Sequence, residues 1–464
     1  MDVEFDPGSF KDPDGRVFEH QGLIYRTLSA AAHNRMQAYI GNSTLPDLTA
    51  RGLLIESNLV DAAEAGLDAA EVGDVVMRHA RIPVLTYPSE WSFDMLRDAA
   101  LVTLDLLLEC LDRDLMLKDA TAFNVAFHDG RMQFFDTLSI EDYEAGDPWD
   151  GYAQFCREFL FPLMLTSYRG VEFQPWLRGS LSGIPVRTFA RLLSLREKLR
   201  GSVIKHVVLQ AKLDRGFAET DTEMRSSFKA MKFSKPMIVG NVTGLAKTLR
   251  SLRYEAGDSV WGDYAQSHSY SAADEATKRA FVEKAVARLK PATVVDLGGN
   301  VGDYSLLVAP HAERVCCVDI DPACINTLYR RVREGGPQNV VPIVGDLLNP
   351  SPALGWNLAE RQDLFSRIRS DSFLALALVH HLAIGGNVPL SNVVDVLFRI
   401  APGGVVEWVD KSDAMVQRML RNRTDVFGDY TWESFRRELE RRFTIVETVD
   451  THDGTRRLCL LEPR

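Results

Sequence analysis

Apolar and polar residues follow two different rhythms along the 464-residue chain. In Ser92–Leu111 the apolar residues recur every three or four positions, which predicts a long helix buried along one face. After Pro236, short apolar runs alternate with helical patterns, and this order is typical of a mostly parallel, doubly wound α/β sheet. The chain turns polar between Leu213 and Pro236. We therefore predict two domains, an α+β domain over 1–235 and an α/β domain over 236–464.

The α/β half is predicted to open with an amphipathic helix that has Leu245, Leu249 and Leu252 on one face. A second helix with clear start and stop signals follows. Ser271 is expected to cap its first turn, with Asp274 three residues further on, and Pro291 ends it. The buried face is predicted from apolar residues at helical spacing, namely Phe281, Val282, Ala285, Val286 and Leu289.

Composition narrows the class of partner. The formal net charge is −11, which disfavours a large surface for nucleic acid. No apolar run is long enough to span a membrane, and the acidic first residues lack the apolar core of a signal peptide. The six cysteines include no CxxC pair, which fits reduced thiols. We expect a cytoplasmic protein with a small-molecule or peptide substrate and with no nucleic-acid or membrane partner. The sequence does not predict an oligomeric state.

Residues 292–305 predict an apolar strand, a tight glycine-rich turn and the start of a helix. Gly298, Gly299 and Gly302 let the backbone turn and approach a ligand closely. Asn300 stands where many such loops carry glycine, and asparagine is the next best residue at positive φ. The G-x-G-x-x-G pattern of loops that bind NAD(P) is absent here.

Acidic residues close three successive predicted strands, with Asp296 on the first, Asp319 on the second and Asp346 on the third. A carboxylate at the tip of the second strand is placed to accept hydrogen bonds from both hydroxyls of a ribose. The acid on the third strand suits an adenine amino group. An ordinary βα turn explains the glycine-rich loop alone but does not explain three acids in this order.

Residues 292–346 resemble the first motifs of class I S-adenosylmethionine-dependent methyltransferases, whose loop carries the pattern D-x-G-x-G-x-G. Asn300 departs from that pattern at the middle glycine. The resemblance implies a Rossmann-like domain that binds S-adenosyl-L-methionine, with the first acid near the methionine moiety, the second at the ribose and the third at the adenine. The cofactor-binding residues that it implies are Asp296, Gly298, Gly299, Asn300, Gly302, Asp319, Ile320, Asp346, Leu347 and Tyr270.

Two histidines follow the predicted fourth strand, within residues 371–382, which resemble the motif that faces the transferred methyl group in this family. His380 is a candidate catalytic base or substrate ligand, and a histidine that merely caps the strand is an equally good interpretation. For His381, also a catalytic candidate, the capping interpretation is preferred. No spacing of histidine, cysteine or acidic residues indicates a metal site.

Two further segments supply candidates for substrate binding. Lys411 and Asp413 follow the predicted fifth strand, at the sheet edge where open α/β sheets bind ligands. A solvated loop is the alternative interpretation for both. An aromatic segment that often closes over the cofactor in this family precedes the helix capped by Ser271, and packing of a lid is its alternative role. Its residues are Trp261, Tyr264, His268 and Tyr270.

The N-terminal half contains Asp119, an asparagine five residues later (Asn124) and, after a hairpin with an Asp-Gly turn, Asp136 at the end of an apolar strand. This pattern resembles the catalytic core of kinase-like phosphotransferases, in which the first aspartate acts as base and the other two residues hold metal. Lys118 replaces the usual histidine or arginine before the first aspartate, and residues 1–90 show neither a glycine-rich phosphate loop nor a clear strand-borne lysine. We expect a kinase-like nucleotide-site scaffold first, a polar loop between buried elements second and an active kinase third.

As a whole the chain resembles a two-domain bacterial family that includes rhizobial host-specific nodulation proteins, through Tyr87–Phe93, Leu117–Asn124 and His380–Asn387. The sequence thus predicts a methyltransferase that acts on a small molecule or peptide in a biosynthetic pathway, with the N-terminal half helping to select the substrate. Two alternatives stay open. One is a bifunctional enzyme with an ATP-using N-terminal half, and the other is a regulatory protein with a pseudokinase scaffold.

Overall fold

The computed structural model describes residues 3–216, 233–254, 271–421 and 424–464. The chain forms two compact units. Unit 1 comprises Met1–Ser89, Phe93–Glu255 and Leu354–Arg361, and unit 2 comprises Glu90–Ser92, Ala256–Ala353 and Gln362–Arg464.

Unit 1 contains a four-stranded antiparallel sheet in the order β1-β2-β4-β3, formed by β1 (Val17–His20), β2 (Leu23–Arg26), β3 (Ser57–Asp61) and β4 (Val75–His79). Two antiparallel pairs follow, β5 (Leu115–Leu117) with β8 (Ile140–Asp142) and β6 (Val125–His128) with β7 (Arg131–Phe134). Asp129 and Gly130 both have positive φ, as a two-residue hairpin turn requires, so the predicted Asp-Gly turn is confirmed.

The helices of unit 1 include the long helix that the sequence pattern predicts at Ser92–Leu111. They are α1 (Ala30–Gly41), α2 (Thr44–Ala50), α3 (Ala69–Val72), α4 (Phe93–Asp112), α5 (Tyr152–Phe155), α6 (Phe161–Arg169), α7 (Gln174–Gly179), α8 (Val186–Leu192), α9 (Leu195–Lys198), α10 (Gly201–Val203), α11 (Leu209–Gly216) and α12 (Lys235–Ser251). Helix α4 is confirmed to within one residue at each end, and its apolar residues are buried because they recur on one face.

Helix α12 corrects the predicted domain boundary. A boundary at residue 235/236 assigns this helix to the α/β domain, but α12 packs against α4 and belongs to unit 1. Its buried residues Ile238, Val242, Leu245 and Leu249 recur at helical spacing and form the face that meets the core. The boundary between the two units therefore lies after α12.

Unit 2 is built on a seven-stranded sheet in the order β11-β10-β9-β12-β13-β15-β14. Its strands are β9 (Thr293–Leu297), β10 (Arg314–Asp319), β11 (Val340–Val344), β12 (Ser372–Ala375), β13 (Gly404–Val409), β14 (Phe443–Thr451) and β15 (Arg456–Pro463). The first five are parallel, and β15 and β14 are antiparallel additions. The mostly parallel doubly wound sheet is thereby confirmed, and its strand order reverses between β9 and β12, where such sheets bind ligands.

The helices of unit 2 are α13 (Ala272–Leu289), α14 (Asp303–Val308), α15 (Pro322–Arg333), α16 (Leu364–Arg367), α17 (Leu390–Ile400), α18 (Ala414–Leu420) and α19 (Trp432–Arg442). The predicted cap is confirmed, since the Ser271 side chain accepts a hydrogen bond from the Asp274 amide and α13 ends before Pro291. In the described parts of both units, no helix has the length and apolarity that crossing a membrane requires.

Candidate functional site

The glycine-rich loop lies at the carboxyl end of β9, beside the point where the strand order reverses. Gly298 and Gly302 have φ of +74° and +79°, and Asn300 has φ of +53°. The left-handed conformation predicted for Asn300 is thus confirmed, and its side-chain oxygen accepts a hydrogen bond from the Val301 amide at 2.8 Å. Three left-handed residues in five turn the backbone sharply from β9 into α14.

Gly299 and Asp296 form the floor of this loop. A Cβ on Gly299 would stand 2.4 Å from the Cys317 sulfur and 2.8 Å from Oδ2 of Asp296, so only glycine fits. Asp296 is 2% exposed and accepts a hydrogen bond from the Ser305 hydroxyl at 2.7 Å, and burial raises its pKa to about 6. Asp296 therefore supports the loop from beneath.

Asp319 closes β10 directly beside the loop. Its Oδ2 accepts the Asn300 amide proton at 2.8 Å and its Oδ1 accepts that of Asp321 at 2.9 Å. A carboxylate has about four lone-pair sites, so each oxygen keeps acceptor capacity for a ligand hydroxyl. Ile320, the next residue, is 53% exposed and offers an apolar surface at the same edge.

Asp346 and Leu347 follow β11 at the same edge of the sheet, and both are partly exposed. One Asp346 oxygen accepts the Leu348 amide proton at 2.8 Å, which fixes the turn after the strand. The structure thus brings the predicted acids of β10 and β11 to one edge of the sheet, while the acid of β9 lies beneath the loop.

The two histidines follow β12, next to β9 in the sheet. Ala377, between β12 and the histidines, has φ of +49°, a strained conformation of the kind found at functional sites. Leu378 reaches the glycine-rich loop, because its Cδ1 stands 3.2 Å from where a Cβ on Gly298 would lie. The segment that carries His380 and His381 therefore lies against the loop.

His380 is fully buried, and neither ring nitrogen has a hydrogen-bond partner among the residues that the structure describes. Its ring centre lies 4.0 Å from that of His381. Burial, His381 and the cations Arg456 and Lys278 lower the pKa of His380 well below its ordinary value. Burial and Arg456 lower the pKa of His381 to about 4. Both imidazoles are neutral at neutral pH, so each ring can donate one hydrogen bond and accept another.

Two buried ion pairs carry those cations. Lys278 of α13 lies 2.7 Å from Glu407 of β13, and Arg456 at the start of β15 lies 2.8 Å from Asp413. The Arg456 guanidinium is also 4.0 Å from Glu407, which links the two pairs. All four side chains are at most 5% exposed, so their charges interact through a poorly solvated interior.

The structure gives Lys411 and Asp413 other partners than a substrate. The Lys411 ammonium contacts both Asp425 oxygens, at 3.0 and 2.9 Å, and the Phe427 carbonyl. Its three donors are thereby used. Asp413 is buried, caps α18 through the Met415 amide and pairs with Arg456. Both side chains stabilise the loop after β13, and the substrate contacts proposed for them stay predictions.

The aromatic candidates before α13 lie outside the described residues, so their predicted roles stay predictions. They are Trp261, Tyr264, His268 and Tyr270.

In unit 1, Asn124 and Asp136 come together as the sequence pattern indicates. The Asn124 amide nitrogen donates a hydrogen bond to Asp136 Oδ2 at 3.2 Å. Partial burial is the main cause that raises the pKa of the Asp119 carboxyl, and the negative charge of Asp136 is the second cause. These two carboxylates therefore lie within electrostatic range of each other. Within the described ranges, no group of three histidine, cysteine or acidic residues is arranged to hold a metal ion.

Arg26, at the end of β2, was missed by sequence reasoning. Its guanidinium pairs with Asp136 Oδ1 at 2.6 Å and also with Asp12. Burial acts to raise the pKa of Asp136, but the Arg26 charge and hydrogen bonds from Ser139 and Arg26 lower it overall. An internal cation therefore already neutralises the carboxylate that the kinase-like pattern assigns to metal.

Glu158 fixes the loop between Asp119 and Asn124 from below. Its Oε2 accepts hydrogen bonds from the Thr121 hydroxyl at 2.7 Å and the Ala122 amide at 2.9 Å, and burial raises its pKa to about 7. It lies in a π-helical turn, Cys156–Leu160, a distortion often found at functional sites. The loop is thus a built feature of unit 1.

Nodulation protein NoeA of Rhizobium meliloti (strain 1021) is 38% identical to the chain over 446 residues, which are 95% of this chain and 92% of that protein. The chain belongs to the NoeA family. This confirms the predicted kinship with rhizobial nodulation proteins across both units. No family model matches the chain.

Solved structures resemble part of the chain at lower identity. The N-methyltransferase NodS from Bradyrhizobium japonicum WM9, in complex with S-adenosyl-L-homocysteine, is 16% identical, with 45% of this chain and 94% of that chain covered and a TM-score of 0.30. The bifunctional kinase-methyltransferase WbdD is 17% identical, with 41% and 39% covered and a TM-score of 0.29.

The buried Lys278–Glu407 ion pair beside His380 was also missed by sequence reasoning, although the sequence holds a signal for each of its two residues. Lys278 stands three and four residues before Phe281 and Val282, on the apolar face of α13. Glu407 interrupts an otherwise apolar strand. A charge on an apolar face needs a buried partner, so these two residues predict each other.

Proposed function

We propose that the chain is an S-adenosylmethionine-dependent methyltransferase that acts on a small molecule or peptide in a biosynthetic pathway. The observation that carries this proposal is the joint placement of the left-handed loop at Gly298–Gly302, the carboxylate of Asp319 and the segment of His380 at one edge of a reversing sheet. The name of the related nodulation protein supports a pathway that serves nodulation.

The residues at this edge fit the proposed cofactor. Asp319 keeps acceptor capacity for ribose hydroxyls, Ile320 offers an apolar face for adenine, and Asp346 suits its amino group. The loop backbone at Gly298 and Gly299 would approach the methionine moiety without side chains in the way. When bound, this cofactor supplies a methyl group activated by a sulfonium.

His380 is proposed to orient the methyl acceptor. A buried imidazole with two free nitrogens can accept a hydrogen bond from an acceptor hydroxyl or amine, which aligns its lone pair. Because burial and the nearby cations disfavour a charged ring, His380 is proposed to position the acceptor and not to hold its proton. An acceptor that carries O–H or N–H therefore fits this site. We assign His381 the role of holding the His380 ring in place through the contact between the two rings.

Unit 1 is proposed to aid substrate selection rather than phosphoryl transfer. The Arg26–Asp136 ion pair favours this choice, since a metal at Asp136 would have to displace the guanidinium of a side chain that is only 8% exposed. The second candidate function, an ATP-using unit 1, rests on the contact between Asn124 and Asp136.

Calorimetric titration with S-adenosylhomocysteine tests the first proposal. The wild-type protein should bind, and Asp319→Ala should weaken binding by about 1.5–3 kcal/mol, the range for hydrogen bonds to a charged group. Asp395→Ala, which removes an exposed carboxylate of α17, is the matched control and should bind like wild type. Absence of binding to the wild-type protein would refute the proposal. Incubation of a small-molecule extract with isotope-labelled cofactor, read by mass spectrometry, would then identify the acceptor.

A melting-temperature shift with Mg-ATP separates the two roles of unit 1. We expect no shift for the wild-type protein. A shift that Asp136→Ala abolishes and that Asp147→Ala, an exposed aspartate of the same unit, retains would favour the ATP-using alternative instead.

A further inference from the structure

A short stretch of unit 1 presents large apolar side chains to solvent. Leu195 and Leu199 are 83% and 78% exposed, more than any other large apolar side chain in the described part of the chain. They stand four residues apart across the single turn of α9, so they lie on the same side of it. Ile204 and Leu209 follow, with 40% and 49% exposure. Several large apolar side chains exposed within one short stretch indicate an interaction site.

The same stretch is strongly basic, although the whole chain has a net charge of −11. Residues 186–212 contain one acidic residue, Glu197, which is buried and used within the fold. Their basic residues are Arg187, Arg191, Arg196, Lys198, Arg200, Lys205 and Lys212. Among the described residues, Arg196, Lys198 and Lys205 have no acidic partner. We name residues 191–209 the basic leucine face.

The turn that carries the two leucines is firmly built. Ser194 and Glu197 form a reciprocal capping box at the start of α9. The Arg200 guanidinium lies 4.3 Å from the centre of the Tyr168 ring, and Leu193 beneath the turn is 3% exposed. The exposure of Leu195 and Leu199 is therefore a property of an anchored turn, whose buried residues already satisfy the core.

We propose that the basic leucine face docks the protein on the surface of an anionic phospholipid bilayer. Transfer of exposed leucine side chains from water to the boundary between headgroups and acyl chains lowers their free energy, and flanking arginines and lysines are attracted to lipid phosphates. A nucleic acid would meet the cations but offers no apolar phase to the leucines. An apolar protein groove would leave the cations unused. This peripheral attachment needs no spanning helix, revises the expectation that the protein has no membrane partner, and goes beyond the proposed methyl transfer.

Sedimentation with lipid vesicles tests the proposal on the full-length protein. Vesicles of phosphatidylcholine with about a third phosphatidylglycerol should bind the wild-type protein, and pure phosphatidylcholine vesicles should bind it at least roughly tenfold more weakly. Leu195→Ser/Leu199→Ser and Arg196→Gln/Lys198→Gln should each lower partitioning roughly tenfold, and salt should weaken binding of the wild type. Val426→Ser changes an apolar residue of unit 2 that is 70% exposed and should bind like wild type.

A fluorescent label gives a second measurement that does not depend on loss of binding. All six native cysteines are buried, so Leu195→Cys creates an accessible thiol that an environment-sensitive dye can modify selectively. Its emission should shift to the blue with anionic vesicles and not with phosphatidylcholine vesicles. Equal binding of the leucine variant and the wild type, or no shift at the label, would overturn the proposal. Self-association abolished by Leu195→Ser/Leu199→Ser, without vesicle binding by the wild type, would assign the face to a second copy and would also overturn it.

Discussion

The Lys278 ammonium lies 2.7 Å from Oε2 of Glu407, and the two side chains are 5% and 0% exposed. One residue comes from α13 and the other from β13, so the pair joins a helix to the sheet beneath it. Loss of one partner leaves a poorly solvated charge without its nearest counter-ion, and that cost exceeds the net stabilisation that the pair provides.

Lys278→Met should lower the free energy of unfolding by about 3–5 kcal/mol, because Glu407 is then left buried and only distantly balanced by Arg456. Urea unfolding of unit 2 measures the change. Lys284→Met is the matched control on the same helix, since it breaks an exposed pair with Glu447 and should cost at most about 1 kcal/mol. Lys278→Met/Glu407→Gln removes both charges and should recover part of the loss. A double variant as unstable as the single one would show that packing of the lysine stem dominates.

His380 should remain an uncharged imidazole across the neutral range. Burial, His381 and the two cations lower its pKa, so its ring resonances in an NMR titration should not move between about pH 8 and about pH 6. His380→Gln assigns the resonance by its disappearance. Lys278→Met removes one of these cations, so the midpoint of the His380 titration should move toward neutral pH. A wild-type resonance with its midpoint in the neutral range would contradict the assigned environment.

Asn300→Gly and Asn300→Val should differ in their effect on the glycine-rich loop. At φ of +53°, glycine is accommodated freely, so S-adenosylhomocysteine affinity should stay close to that of the wild type. A β-branched residue in this conformation costs at least about 1–2 kcal/mol, which should appear as lost stability or lost affinity. Melting temperature and calorimetric titration together capture both effects. If valine is tolerated as well as glycine, the left-handed conformation is not required for the site.

The buried His79 should make unit 1 less stable in acid. Burial is the main cause that lowers its pKa to about 4 from an ordinary value of 6.5, so the unfolded state binds the proton first as pH falls. The stability from a neutral His79 is complete above about pH 6.5 and falls by about 1.4 kcal/mol per pH unit between there and about pH 4.

Urea unfolding of the wild type and His79→Gln at several pH values measures this dependence. The difference between the two proteins isolates His79 from Glu158, whose raised pKa acts in the opposite direction. Parallel stability curves for the two proteins would refute the prediction.

The local elements of both units were predictable because their signals lie within a few residues. Helix α4 follows from apolar spacing, and the Ser271 cap from one side chain and the amide three residues later. Asn300 was placed correctly at positive φ, because few residues tolerate that conformation. The assignment of α12 was wrong, because an amphipathic helix shows which face is buried without showing which core it meets.

The candidate sites were predictable as positions along strands but not as networks of charge. Lys411 and Asp413 were interpreted from their place after β13, while their partners Asp425 and Arg456 come from later in the chain. Long-range ion pairs depend on the tertiary fold, which strand periodicity does not encode. The Arg26–Asp136 pair was missed for the same reason, since 110 residues separate its two partners.

The Arg26–Asp136 pair also has a thermodynamic consequence for any ion that approaches unit 1. The Arg26 guanidinium is tethered to β2, so the fold sets its effective concentration at the Asp136 carboxylate, and the protein concentration does not change it. A divalent cation can occupy Asp136 only by exchange against this internal competitor. The apparent association constant of the cation is therefore lowered by a factor that the equilibrium constant of the internal ion pair sets. Substitution of Arg26 alone would raise that apparent constant.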